Sequence, residues 1–475
     1  MSPLQIILLI AAYFGVLLLI SHLTSKKEDN EEFFTAGKTA PWYVVAFGMI
    51  GVSLSGVTYL SVPGAVETNS FSYLQMVLGN VVGYWLIMAI LLPLYYKMNL
   101  TSIYAYLGER FGRKTQKTGS FFFLISRIIG ASLRLYLVAL VLQKILFGDR
   151  GVPFALTVAV TITLVWVYTQ RGGIKTIIWT DTLQTFFMLL GLFAFIYWLF
   201  GELGGVSQSL EILKEKELSQ VFFFEYTDAK FFVKGFLTGV FITLVMNGLD
   251  QDMMQKNLSC KSLKDARKNM FSLSIIFLVI NIFFVVLGGL LTIYAQQHGI
   301  DAHKDKLFTA VAEQAPAFLF ALFLLGVIAA AYSSADSALT SLTTAFCVDF
   351  MNMDKMNGTE KIKVRKKVHV MFSIFLFCTI TIFESFNNDS IVWLLFKMAG
   401  FTYGPLLGMY AFGLFTKVKV KDSLIPWIAV LCPVLSWILK KNVPSIGFEI
   451  LIYNGALTFV LMLVASFMYK EKAVT

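Results

Sequence analysis

Charge is what this sequence has least of: acidic and basic residues make up 14% of its 475 positions, against roughly a quarter in soluble globular proteins. With 57% of the residues hydrophobic, too few ionisable groups remain to clothe a water-soluble surface. Cysteine is scarce too. Cys260, Cys347, Cys378 and Cys432 stand far apart, which excludes a disulfide framework and the close ligand spacings of a zinc site. The four histidines, His22, His298, His303 and His369, lie near or beyond the ends of apolar segments, and no His-x-x-x-His pattern occurs. An intramembrane enzyme would need a metal cluster or a nucleophile with its base, and neither is present. A membrane sensor would need a signalling domain, and only about seven residues follow the last apolar segment. No basic soluble module accompanies the net charge of +10, so nucleic acid is not an expected partner.

What the chain has is apolar runs of membrane length. A hydrocarbon core about 30 Å thick takes about 20 apolar residues per helix. Mean hydropathy is +0.72, and hydropathy predicts thirteen spans at roughly 3–23, 42–66, 74–96, 119–146, 153–169, 175–200, 231–255, 271–295, 316–347, 368–386, 391–415, 422–439 and 447–468. The first lacks the basic leader and small-residue cleavage site of a signal peptide and reads as a retained span. Of the 39 Lys and Arg residues, with Lys144, Lys175 and Lys234 near span ends counted to the adjoining loops, 26 fall in one alternating set of loops, 10 in the other and three, Arg127, Arg134 and Lys397, well inside spans. The positive-inside rule then places the N-terminus outside and the C-terminus in the cytoplasm of a cell (plasma) membrane, as a multi-pass protein in the lipid bilayer.

Two spans contain backbone breakers. The second reads Gly48-Met49-Ile50-Gly51-Val52-Ser53-Leu54-Ser55-Gly56-Val57-Thr58, followed by Ser61, Pro63 and Gly64. Small residues of this kind also serve close helix packing with no ligand. The seventh carries Met246-Asn247-Gly248-Leu249-Asp250-Gln251-Asp252, which a helix end would also explain. The two lie five spans apart, so a five-helix repeat carrying them must invert in the membrane. Paired broken helices in inverted repeats are how many secondary transporters build a site at the bilayer midplane.

Ionisable groups at membrane depth are functional candidates by default. Asp181 lies about two turns into the sixth span, on the order of 10 Å from its start. In the ninth, Ala330, Ser333, Ser334 and Ser337 recur at i, i+3, i+4 and i+7, which puts them on one helix face with Asp336 at its edge. Such a face offers the oxygen ligands that hard cations favour, although serines also bond back to their own helix carbonyls. Arg127 and Arg134 share a face of the fourth span, about 10 Å apart. Arg127 sits near the depth of Asp181 and Asp336 and reads as a structural ion-pair candidate. Arg134, near the midplane, either clamps a substrate carboxylate or pairs with a protein acid.

Several of these segments resemble the sodium:solute symporter family. They are Phe34-Thr35-Ala36-Gly37-Lys38, Leu54-Ser55-Gly56-Val57-Thr58-Tyr59 through Pro63-Gly64, Tyr106-Leu107-Gly108-Glu109-Arg110-Phe111-Gly112, Gly172-Gly173 through Trp179-Thr180-Asp181-Thr182-Leu183-Gln184, and Ala330-Ala331-Tyr332-Ser333-Ser334. Within the family the Leu-Ser-x-x-Thr run is most similar to bacterial sialic acid symporters. The resemblance implies an all-α membrane protein with the LeuT-type inverted repeat: an extra N-terminal helix (1–25), first repeat 42–200, second repeat 231–416, and two C-terminal helices (421–470). It implies a main sodium site of Gly51, Leu54 and Ala330 carbonyls with the Ser333 and Ser334 hydroxyls. A second sodium or proton site would use Asp181, Ser333, Asp336 and Ser337. Substrate would contact Ser53, Ser55, Thr58, Asn247 and the fourth span, where Arg134 lies. Two departures stand out: Asp336 occupies a place where the sialic acid carriers have serine, and Arg134 lies about one turn beyond their carboxylate-binding arginine.

The expectation is a sodium-coupled secondary symporter and not an enzyme. It would import a small organic solute, with an anionic sugar such as a sialic acid as the leading substrate, and would need no organic cofactor. A proton-coupled carrier and a sodium/neutral sugar symporter are the nearest rivals.

Overall fold

The computed structural model describes residues 2–24, 30–148, 151–351, 353, 356–385, 391–443 and 446–467. Among them there is no strand, only an isolated bridge between Ala40 and Cys260. Helix dominates because lipid offers no partner to exposed backbone amides, so each span must satisfy its own.

The chain opens with α1 (Pro3–Thr24) and a short α2 (Asn30–Thr35). The broken α3 (Trp42–Asn69) follows, then α4 (Tyr73–Leu86) and α5 (Leu92–Lys97), joined by the π turn Ile87–Leu91. Next come α6 (Ala105–Arg110), α7 (Arg113–Leu146), α8 (Phe154–Gly172), α9 (Ile174–Glu202) and α10 (Val206–Glu215). The second broken span comprises α11 (Phe232–Thr243), the π turn Leu244–Gly248 and α12 (Gln251–Leu258). It leads to α13 (Leu263–Gln297), α14 (Leu307–Gln314), α15 (Ala317–Asp349) and α16 (Gly358–Glu384). The chain ends with α17 (Ile391–Thr402), α18 (Gly404–Phe415), α19 (Ile425–Asn442) and α20 (Ile450–Phe467).

Within the described residues all thirteen apolar segments fall on helices. Eight helices are long and apolar enough to cross a membrane alone, and two bent pairs raise the number to ten. The remaining segments, 153–169, 391–415 and 422–439, are carried by α8, by α17 with α18, and by α19. The loops are more helical than hydropathy suggests. In α10, for example, Leu213 is buried and would lie 2.3 Å from a Cβ added to Gly289 of α13, so a short amphipathic helix covers the bundle there.

Both backbone breaks are present. In α3 the deviation is concentrated at Ser55 (φ 48°, ψ 170°), not at Pro63, which stays within the helix. The two halves of α3 bend by 52°. In the seventh span Leu249 and the extended Asp250 (φ −108°, ψ 123°) follow the π turn, and α12 departs at 64°.

Of the eight helices long enough to span alone, α15 is the most buried, with 83% of its apolar window inside the protein. It packs against α9, α7 and the broken α3. Small residues let other helices approach backbone to backbone. A Cβ on Gly79 of α4 would lie 2.0 Å from the Phe236 carbonyl oxygen of α11, and one on Gly239 of α11 would lie 2.0 Å from that of Met76. Gly173 is needed twice over: its φ is +52°, and a Cβ there would lie 2.5 Å from the Phe33 ring.

Gly239→Ala forces α4 and α11 apart and should cost about 1–3 kcal/mol, read as a lower melting temperature of the detergent-purified protein. Gly201→Ala, with open space around its Cβ position, should leave melting unchanged or slightly raised.

Candidate functional site

The two breaks and α7 enclose a cavity of about 80 Å³. Ser53, Ser55 and Thr58 reach it from the α3 break, Arg127 and Arg134 from α7, and Asn247 from the π turn. All five residues expected at a substrate site therefore share one space. A larger cavity of about 340 Å³, lined in part by Ser61, Asn69, Gln75 and Lys234, also touches Tyr73 and Met76. Those two residues line the smaller cavity as well and so separate a vestibule from the inner space.

The two arginines of α7 are in opposite situations. Arg127 donates to Asp252 and lies 3.9 Å from Asp250. Its partners are therefore the acids of the second break, and not Asp181 or Asp336, whose depth it shares. Hydropathy measures depth but not which face of a neighbouring helix an acid occupies. Arg134 is buried yet forms no ion pair among the described residues, and its Nε has no hydrogen-bond partner. A buried guanidinium without a counter-charge is costly unless an anion completes it. The Ser53 hydroxyl, also in the cavity, is likewise without a partner.

Protein groups fill the second break. Tyr95 donates to the Gly248 carbonyl and Tyr104 to that of Leu249, each at 3.0 Å. Asp250 caps α12 by accepting from the Asp252 amide at 2.9 Å, and its other oxygen accepts from the Tyr403 hydroxyl at 2.5 Å.

The first break has no comparable plug. The Gly51 amide donates to Thr185 Oγ1 at 3.1 Å, whereas among the described residues no side chain donates to the carbonyls of Gly51, Leu54 or Ala330. Leu54 and Ala330 are fully buried, and a Cβ on Gly56 would lie 3.8 Å from the Ala331 amide nitrogen, so the break abuts α15. There the Ser334 hydroxyl is buried without a partner. Ser333 donates to Asp181 Oδ1 at 2.7 Å, which leaves its oxygen lone pairs free. Carbonyls beside an orphaned hydroxyl suit a monovalent hard cation.

The remaining acids are already engaged. Asp181 Oδ2 accepts from Lys256 Nζ at 2.7 Å, and Lys256 also donates to Ser337 Oγ at 2.5 Å. Asp336 accepts from the Tyr168 hydroxyl at 2.8 Å and from the Ser337 amide at 2.6 Å. The hydropathy boundary at 255 leaves Lys256 outside the membrane among the loop lysines; the structure overturns that placement. Its side chain is 1% exposed, because the break turns α12 inward and carries Lys256 to α9 and α15. The available signal was charge balance: Asp181 and Asp336 on apolar helices called for a cation, and α12 held one.

A model of the sodium:solute symporter family matches residues 33–422. The chain belongs to the sodium:solute symporter family. It is thus a multi-pass membrane carrier coupled to sodium, not an enzyme. Among its relatives are the sodium/sialic acid symporters SiaT of Proteus mirabilis (26% identical, 88% of this chain and 86% of that one) and NanT of Aliivibrio fischeri (24% identical, 90% and 86%). Bovine sodium-coupled monocarboxylate transporter 2 is 25% identical over 84% of this chain and 66% of that one. The fold matches the substrate-bound outward-open state of a Na+-coupled sialic acid symporter with TM-score 0.85 over 98% of both chains at 20% identity. Mhp1, a nucleobase-cation-symport-1 transporter, matches at TM-score 0.60 and 13% identity over 92% of this chain and 94% of that one. This symporter therefore has the LeuT-type fold.

Asp252→Asn should strip Arg127 of its closest counter-charge and lower stability by about 3–5 kcal/mol, measured by melting in detergent. The double substitution Arg127→Met/Asp252→Leu should recover most of that loss.

Proposed function

We propose that this symporter imports a carboxylate-bearing sugar, such as a sialic acid, with sodium held at the α3 break. The observation that carries the reading is Arg134: a buried guanidinium lining the inner cavity that forms no ion pair among the described residues. A bidentate bond to a substrate carboxylate would complete it. A neutral sugar would leave it uncompensated.

At about 80 Å³ the inner cavity is well below the several hundred Å³ typical of small-molecule sites. The vestibule of about 340 Å³ beyond Tyr73 and Met76 supplies the missing room. A sugar acid would place its carboxylate on Arg134 and its body toward the vestibule, with Ser53, Ser55, Thr58 and Asn247 offering hydrogen bonds. The names of the bacterial relatives, both sodium/sialic acid symporters, point the same way.

Sodium would take the carbonyls of Gly51, Leu54 and Ala330 and the hydroxyls of Ser333 and Ser334. Leu54 and Ser55 are consecutive, so an ion drawing on the Leu54 carbonyl fixes the turn that aims Ser55 into the substrate cavity. Ion and substrate then favour the same arrangement, which is the condition for coupling. Under this reading the repeats span 42–200 and 231–416. The loop charge asymmetry supports an N-terminus outside the plasma membrane and a vestibule on the external side, and an inward sodium gradient would then drive import.

Binding of sialic acid, short monocarboxylates and neutral amino sugars to wild type and Arg134→Ala tests the substrate. Arg134→Ala should weaken anion binding by a hundredfold or more, as losing one partner of a buried charged pair costs about 2–5 kcal/mol; unchanged affinity overturns the clamp. Ser334→Ala should raise the sodium half-saturation of vesicle uptake at least tenfold while leaving anion affinity at saturating sodium little changed. Uptake driven by a pH gradient in the absence of sodium would overturn the coupling ion.

A further inference from the structure

A second cation position, formed by Asp181, Ser333, Asp336 and Ser337, is the part of the site the sodium reading leaves open. We propose that Lys256 is a tethered cation that fills this position permanently, so that the carrier binds one sodium ion rather than two. The inference rests on the sodium symport reading above and adds the ion stoichiometry to it.

The two candidate ion positions differ in how their polar groups are satisfied. At the α3 break the Ser334 hydroxyl has no partner. At the second position every named side chain has one. Asp181 uses one oxygen for Ser333 and the other for Lys256, and Ser337 Oγ accepts from the same ammonium. Asp336 has one oxygen on Tyr168 and one on the Ser337 amide. No atom of these four side chains is left without a hydrogen bond. A sodium ion would have to displace the ammonium or bind beside it.

Displacement is opposed by how firmly Lys256 is held. Gln255, its neighbour on α12, donates to the Phe34 carbonyl at 2.6 Å and to Thr344 Oγ1 at 2.9 Å, and Ser259 donates to the Lys256 carbonyl at 2.6 Å. The backbone that carries Lys256 is thus anchored in a buried helix, and its ammonium is held by Asp181 and Ser337. Binding beside it is opposed by charge. Two like unit charges about 4 Å apart at an effective dielectric near 20 repel enough to weaken the second ion by roughly three orders of magnitude.

Ser333 belongs to both proposed positions, and its hydrogen goes to Asp181. Fixing Asp181 with a resident ammonium therefore also fixes the Ser333 rotamer that the single sodium needs.

The test is equilibrium binding of radioactive sodium to the purified full chain at constant pH, counted as ions per chain and as the slope of the Hill plot. Wild type should bind one ion with a Hill coefficient near one. Lys256→Ala, which removes the ammonium and opens its space, should bind two, with a coefficient well above one. Lys256→Arg, which keeps a fixed charge, should stay at one. Two ions on wild type, or a single ion on a folded Lys256→Ala, overturns the inference and leaves symport standing; no sodium bound by wild type overturns the symport reading itself. Should Lys256→Ala not fold, the wild-type count still decides.

Discussion

A helix that unwinds in an apolar environment must find partners for the amides and carbonyls it releases, and the rest of this structure is arranged around that demand. The second break is met from within: tyrosines take the carbonyls of Gly248 and Leu249, and Asp250 caps the helix that resumes. The first is met by packing against α15, with the Ser334 hydroxyl left over. One break is thus a structural joint and the other the proposed seat of the ion, although the two hold matching places in their halves of the chain.

Charge follows the same division. Arg127 is matched to Asp252 and Asp250, and Lys256 to Asp181, so the second break and the helix that resumes after it are braced by buried ion pairs to α7 and α9. Such pairs add little net stability, but removing one member is expensive, which makes them good at fixing relative helix positions. Arg134, two turns along α7 from Arg127, has no such duty. The lack of an ion-pair partner among the described residues is what singles it out for the proposed substrate carboxylate.

Much of this was legible in the sequence because lipid restricts the vocabulary. Gly51, Ser53, Ser55 and Gly56 within one apolar run, and Asn247-Gly248 within another, have few reasons to be there other than to break a helix, and both breaks are found. Ser53, Ser55, Thr58, Arg134 and Asn247 meet in one cavity for the same reason. What was not legible came from α12. Its residues, Gln251-Asp252-Met253-Met254-Gln255-Lys256-Asn257-Leu258, straddle the expected span end at 255, with Gln251 and Asp252 read as the interruption and Lys256 as a loop lysine, yet every one is buried. Hydropathy assigns a residue to water or lipid, whereas α12 sits in neither, being surrounded by protein. That third environment is where Lys256, Tyr168 and the true partners of Arg127 lie, and side-chain pairing across helices has no periodic signature along the chain.

The same reasoning explains how a short turn can couple two ligands. The Leu54 carbonyl and the Ser55 side chain are separated by one peptide bond, and Ser55 sits in a backbone region (φ 48°) that residues other than glycine avoid. A strained residue persists only where its surroundings over-determine it. Here those surroundings are the α15 face on one side and the cavity beneath Arg134 on the other. In the proposed transport reading neither ligand would need to move far to affect its counterpart, because each would stabilise the same turn and share the cost of holding Ser55 there.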